Sequence, residues 1–330
     1  MHTNNTNSHQ FLIKVFYVIL AGFVSCSSPG RPDVGHDYPK DTIVIKDYNL
    51  IIAPDLSNRI SFNVHPKPLH DTVLINGVIN EINNILNLQN RRVGQKDIFS
   101  LDFINPGILN NNWINVDACK IDFSRFSNVH ENAAYKRNKL ANDQRLFKEQ
   151  VSKLYEHSIN KMAGADIWNY FNQTVGNQLK IMPPQVRLEG DVAISRELKN
   201  LVVLFTDGYI ENVNIKKEYQ LSKQQVDDIR KNFNASKSKN LQAYIDGNAA
   251  FGIAVTTQSL KDLNVVVFEM LDRSLNAQGV AKQHPTDFEI MSIVWKNWLK
   301  QSGCKHVEVY KAVADKKLML ERLKDFLKII

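Results

Sequence analysis

The sequence predicts a doubly wound α/β domain in which a mostly parallel, six-stranded sheet is flanked by helices. Short, uninterrupted apolar runs read as strands buried on both faces. Stretches of three-and-four apolar spacing read as helices with one buried side. The two kinds alternate along most of the chain, which is the pattern of parallel strands joined by helical crossovers.

The first strand is Tyr48-Asn49-Leu50-Ile51-Ile52-Ala53, which stops at Pro54-Asp55. Between Asp71 and Leu88 the positions Leu74, Val78, Ile82, Ile85 and Leu86 define a one-sided helix. Residues 98–104 and 114–123 read as two further strands, the second by alternation. Helices follow over about 133–161 and 167–179. Asn200-Leu201-Val202-Val203-Leu204-Phe205 is the strongest strand signal, and it ends at Thr206-Asp207-Gly208-Tyr209. Residues 265–268 form another strand. The helix at 287–301 carries Phe288, Met291, Val294, Trp295, Trp298 and Leu299 on one face, where core packing accounts for both tryptophans. A strand at 306–313 and a helix at 316–327 complete the order. Residues 212–262 break the rhythm with polar, Asn-, Lys- and Ser-rich sequence and one helix near 222–232. They read as an insertion after the fourth strand.

Composition narrows the function. The 330 residues are 43% hydrophobic and 23% charged, ordinary for a folded chain. The 41 Lys+Arg against 34 Asp+Glu leave +7, spread along the length rather than gathered in a basic arm, so nucleic acid is not an expected partner. A basic helix containing Lys136, Arg137, Lys139, Arg145, Lys148 and Lys153 is interleaved with Asp143, Glu149 and Glu156 and reads as a solvated face. Three cysteines with no CxxC pair, and nine histidines with neither HExxH nor HxH spacing, give no support to structural zinc or a zinc hydrolase. No GxSxG, Walker or GxGxxG motif is present.

The N-terminus carries an address. Residues 15–25 form an 11-residue apolar run, too short to span a bilayer but suited to a signal peptide. Phe23-Val24-Ser25-Cys26 resembles the bacterial lipobox, with Phe23 where leucine is usual. That resemblance implies removal of residues 1–25, lipidation of Cys26 and a place in a bacterial cell envelope, most simply a Gram-negative one. Removing Lys14 with the signal leaves +6 (7 minus 1) on the mature chain. Residues 26–45, with Pro and Gly punctuation at their start, read as a flexible tether, and residues 46–330 as the folded domain.

In open α/β sheets ligands sit outside the carboxyl ends of the strands. Two strands here end in aspartate at that edge, Asp55 in Asp55-Leu56-Ser57-Asn58-Arg59 and Asp207 in Thr206-Asp207-Gly208. Two converging carboxylates call for a proton, a cation or an arginine between them.

At these residues the chain resembles the von Willebrand factor A domain over roughly residues 46–330, a Rossmann-like fold with strand order 3-2-1-4-5-6. The resemblance implies a metal-ion-dependent adhesion site in which Mg²⁺ or another divalent cation is held by Asp-x-Ser-x-Ser, a threonine and a further aspartate, with a partner's carboxylate completing the sphere. Carried over residue by residue, Asp55, Ser57 and Asp207 would hold the cation. Arg59, Asp166, Thr206, Gly208 and Tyr209 would line the ligand contact. Arg59 stands where the family has its second serine, and Ala165, in Gly164-Ala165-Asp166-Ile167-Trp168, offers no oxygen. Either Asp166 and water complete the cation's shell, or Arg59 takes the cation's place as an internal counter-ion. Asp55 and Asp207 could instead only accept turn hydrogen bonds, Ser57 only close a turn, and Asp166 only cap the helix that follows. The family's strand order also sets Cys119 and Cys304 toward opposite edges, as free thiols.

The expectation is an envelope-anchored lipoprotein, without enzymatic activity, that binds a protein or other acidic ligand at this edge, with the membrane reached only through the N-terminal lipid. A metal-assisted phosphoester or sulfoester hydrolase, or a structural envelope component with a decayed site, are the alternatives.

Overall fold

The computed structural model describes residues 42–330 except 62–65, 105–106, 108–112, 161–164, 190–191 and 213–214. The expected signal segment, Cys26 and the tether as far as residue 41 lie outside the described residues. The body from Lys40 to Ile330 is one unit.

Among the described residues seven strands form a single sheet. These are β1 (Thr42–Pro54), β2 (Ile98–Leu101), β3 (Lys120–Asp122), β4 (Gln185–Glu189), β5 (Val192–Phe205), β6 (Leu263–Met270) and β7 (Val307–Lys311). Their order is β3-β2-β1-β5-β6-β7, with β4 folding back beside β5. The pairs β1–β2, β1–β5, β5–β6 and β6–β7 are parallel, whereas β3 runs antiparallel to β2, and β4 to β5. The fold is therefore α/β with a mixed, mostly parallel sheet. The helices are α1 (Asp71–Asn80), α2 (Ile82–Leu86), α3 (Val129–Asn138), α4 (Leu140–Asn160), α5 (Ile167–Asn169), α6 (Lys223–Ala235), α7 (Leu241–Asp246), α8 (Asp287–Gln301) and α9 (Lys316–Ile329).

The central strands read as continuous apolar runs because both of their faces are covered. Tyr48, Leu50 and Ile52 of β1 and Leu201, Val203 and Phe205 of β5 pack on one side with α1, α2, α4 and α9. Ile51, Ala53, Val202 and Leu204 alternate to the other side and meet α6 and α8. Residues of the 212–262 segment, among them Leu221, Val226, Ile229 and Ile245, join this second core. Its helix α6 starts at a reciprocal Ser222–Gln225 capping box.

Several elements depart from the sequence reading. Residues 114–123 are not one strand, because the Asn115 side chain accepts from the amides of Asp117 and Ala118 and closes a turn, leaving only three strand residues. The expected single helices at 71–88 and 133–161 are each two, meeting at Glu81 and Lys139. The stretch expected as a helix over 167–179 is one turn of α5 followed by π and 3₁₀ turns. β1 begins at Thr42, so the last residues of the expected tether, 42–45, belong to the sheet. β5 likewise starts at Val192, and the β4–β5 hairpin was not anticipated. These strand ends carry Lys46, Arg187, Arg196, Glu197 and Lys199, so they lack the unbroken apolar runs that mark the centre. No helix among the described residues is long and apolar enough to cross a membrane.

Candidate functional site

Parallel pairing in the register Pro54↔Phe205 brings the ends of β1 and β5 side by side. The Asp55 amide donates to the Phe205 carbonyl at 2.9 Å, which sets Asp55 beside Thr206 and one step from Asp207. The Thr206 hydroxyl donates to Asp55 Oδ2 at 2.8 Å, and the Ser57 amide donates to Asp55 Oδ1 at 3.0 Å. The Ser57 side chain makes no cap of the turn that follows.

Arg59 closes this arrangement from beneath. It is 2% exposed, its Nε lies 3.4 Å from Asp55 Oδ2, and its Nη2 donates to the Phe205 carbonyl at 2.6 Å. The same guanidinium pairs with Asp71 at the start of α1, at 2.5 Å. Asp71 also accepts from Tyr155 of α4 at 2.9 Å and pairs with Lys67. Burial works against the charge on Arg59, but Asp71 and Asp55 outweigh it and raise its pKa. Burial likewise opposes the Asp71 carboxylate and is overcome by Arg59 and Lys67, which hold its pKa below the usual range.

Asp207 has its own guanidinium. Arg273, in the loop after β6, donates through Nη2 to Asp207 Oδ2 at 2.8 Å, while the Tyr209 amide donates to Oδ1 at 3.2 Å. The Asp207 pKa is raised, first by burial and second by the Asp55 carboxylate, against the pull of Arg59 and Arg273. The two aspartates thus share one electrostatic site. Arg273 lies 4.0 Å above the Tyr209 ring and is 26% exposed, so it is the cation that reaches solvent here.

Tyr209 is buried, with its hydroxyl donating to Asp287 of α8, which also pairs with Arg230 of α6. Gly208 has φ +90°, and a Cβ there would press on the Met270 side chain at 3.2 Å. Its carbonyl accepts from Trp295 Nε1 at 2.8 Å. Asp166 is the N-cap of α5, accepting from the Asn169 amide at 2.9 Å.

The structure therefore unites Asp55, Ser57, Arg59, Thr206, Asp207, Gly208 and Tyr209. It gives Asp166 a capping position. Arg59, Thr206 and Tyr209 are buried beneath the edge, and Ser57, Asn58, Glu211 and Arg273 form its accessible part.

Five residues escaped the sequence reading. Lys67 lies in the loop before α1 and Asp71 is that helix's first residue, so their spacing of four did not mark a helical ion pair. Tyr155 and Arg273 carried no local signal. Glu269 was marked by being the one acid in the apolar strand β6. It is 2% exposed, adopts φ 72° at the irregular β6–β7 pairing, and among the described residues its carboxylate has no side-chain hydrogen-bond partner, only a weak bond from the Val313 backbone. Burial first, and Asp71 second, push its pKa up to about 7.

The donor set suits a guanidinium better than a divalent cation. A hard dication wants several unengaged oxygens, whereas Asp55 and Asp207 are each engaged by an arginine and a backbone amide. Among the described residues no three His, Cys, Asp or Glu side chains gather in a metal-ligating group. Of the two arrangements open from sequence, this geometry favours Arg59 as the built-in counter-ion. No family model matches the chain, and no curated protein matches it.

Proposed function

We propose that this chain is an envelope-anchored binding protein whose strand-end edge, around Asp55 and Asp207, recognises a protein or other acidic ligand without needing a metal ion. The observation that carries the reading is Arg59, buried against Asp55 and Asp71 at the position where the adhesion-site motif has a hydroxyl. A fixed guanidinium there supplies the charge that a cation would otherwise bring. Arg273, partly exposed over Tyr209 and paired to Asp207, supplies the outward positive charge for a partner's carboxylate. The strand order β3-β2-β1-β5-β6-β7 supports a von Willebrand factor A-like architecture, since with the β4 hairpin set aside it reads 3-2-1-4-5-6. The binding reading is favoured over hydrolysis because the charged groups Asp55, Arg59, Asp207 and Arg273 hold one another in fixed pairs.

A photo-crosslinking residue placed at Asn58 in intact cells tests the reading. It should give a discrete adduct that Arg273→Ala abolishes, and the same group at the exposed position Lys317 should not give it. Identical adducts from both positions, or an Asn58 adduct indifferent to Arg273→Ala, would overturn it.

A further inference from the structure

We propose that the cavity at the end of β2 binds a small primary amine whose ammonium group pairs with Asp102. Asp55 and Asp207, each already matched by an arginine, take no part in this site, so it stands apart from the function proposed above.

Among the described residues eight acidic side chains are buried. Six of them, Asp47, Asp55, Asp71, Asp97, Asp207 and Asp287, each meet an arginine within 3.4 Å. The other two are Glu269, which lies in the field of Asp71, Lys67 and Arg59, and Asp102. Asp102 is 4% exposed and is held by uncharged donors alone among the described residues. The Tyr170 hydroxyl donates to Oδ2 at 2.9 Å, while Gln178 Nε2 and the Phe103 amide donate to Oδ1 at 3.2 and 2.9 Å. An asparagine would make all three bonds, with its Nδ2 donating to the Tyr170 oxygen instead of accepting from it. The fold therefore gains nothing from the negative charge, which is costly to bury without an opposite one. Burial accordingly raises the Asp102 pKa, and none of the groups that act against the rise is a cation.

The cavity shows what could supply that opposite charge. Asp102 and Gln178 line an open hollow of about 460 Å³ with the apolar Leu101, Phe103 and Val116. The cations on its wall are otherwise engaged. Lys120 pairs with Asp122 at 3.1 Å, and the Arg125 guanidinium lies over the Phe126 and Tyr135 rings. Asp117, also on the wall, is exposed and adds negative charge, so the acids there outnumber the bases. The Asp102 amide donates to the Ile52 carbonyl at 2.8 Å, which places this carboxylate at the carboxyl end of the sheet, where α/β folds seat their ligands. A primary ammonium donates charge-assisted hydrogen bonds to a carboxylate already fixed in place, and an apolar body on the amine covers the aliphatic and aromatic wall. The volume is that of a small-molecule site and exceeds what the four-carbon stem of a protein lysine fills, which favours a free amine.

Calorimetric titration of the full-length protein at pH 8 tests the site with three probes. Phenethylammonium carries the charge on an apolar body, phenethyl alcohol keeps the body without the charge, and N-acetyl-lysine N-methylamide keeps the ammonium on a peptide's lysine stem. Phenethylammonium should bind saturably, one per chain, and roughly tenfold or more tighter than the alcohol, as the loss of one charged hydrogen bond implies. Asp102→Asn, which retains the three bonds to the fold, should weaken it by roughly the same factor. Val116→Trp, at a wall position that is 48% exposed and so not needed for folding, should block the cavity while leaving the carboxylate in place. Failure of the native protein to bind phenethylammonium, or binding unchanged in either variant, would overturn the proposal. Equal affinity for the alcohol would overturn it too, by showing an apolar hollow indifferent to Asp102, and tighter binding of the lysine amide would do so by assigning the site to a partner protein's lysine.

Discussion

Glu269→Gln should stabilise the protein at pH 8, against the usual direction for a change in a buried strand. The carboxylate is 2% exposed, has no side-chain hydrogen-bond partner and only a weak bond from the Val313 backbone, and sits in the field of Asp71. Lys67 and Arg59 pull the other way but do not compensate its burial, and its pKa rises from 4.5 to about 7. The folded protein therefore holds this proton where the unfolded chain has released it. Full stability is present below about pH 4.5 and is lost as pH rises through 7. At about 1.4 kcal/mol per pH unit, the ionised group costs about 3 kcal/mol above pH 7. Gln keeps the shape and removes that cost. Urea denaturation of both proteins between pH 4 and 9 should show the two curves together at the acid end and about 3 kcal/mol apart at pH 8, equivalent to roughly 6 °C in the thermal midpoint of a domain this size. A variant equally or less stable at every pH would show that the native carboxylate is compensated, and would refute the reasoning.

Other outcomes follow from the same contacts. Asp71→Asn leaves Lys67 without its paired carboxylate and Arg59 with Asp55 alone, and should cost about 3–5 kcal/mol in urea denaturation; a loss under 1 kcal/mol would mean the network is not closed. Gly208→Ala forces a side chain into φ +90° and against Met270, and should cost about 1–3 kcal/mol by the same assay. Cys119 and Cys304 are both buried, with their thiols pushed up to about 12 by that burial, so at pH 8 they should resist iodoacetamide until the protein unfolds. Mass spectrometry of the native protein showing rapid alkylation at either would contradict this.

The central strands and the edge pair were legible because burial on both faces writes itself as unbroken apolar sequence that stops where the strand stops. Tyr48 to Ala53 and Asn200 to Phe205 have that form, and Asp55 and Asp207 fall at their ends. The β4–β5 hairpin and the start of β1 were not legible, because a projecting sheet buries little and tolerates Lys46, Arg187 and Glu197 among its aliphatics. β3 was misjudged in length because one side chain, Asn115, converts alternating sequence into a turn. Within the site, the odd residue Arg59 was visible as a substitution in a motif. Its surroundings were not, since Asp71 reaches it from α1, 12 positions on, and Tyr155 reaches Asp71 from α4, a further 84 positions on. Arg273 reaches Asp207 across 66 residues in the same way. Local pattern reports what a segment buries; it carries no record of which distant charge will lie against it.

The measurement that bears most directly on the edge as an arginine-filled site is the melting temperature of the native protein and of Arg59→Ser in EDTA, Mg²⁺, Mn²⁺ and Ca²⁺. Binding to the folded state at a hundred times the dissociation constant adds about 2.7 kcal/mol, a shift of several degrees. The native protein should melt at one temperature in all four conditions, while Arg59→Ser, less stable in EDTA, should recover in Mg²⁺ or Mn²⁺ as the cation takes the place the guanidinium left. A native midpoint that rises with Mg²⁺ or Mn²⁺ and falls in EDTA, and loses that response in Asp55→Asn, would contradict the account.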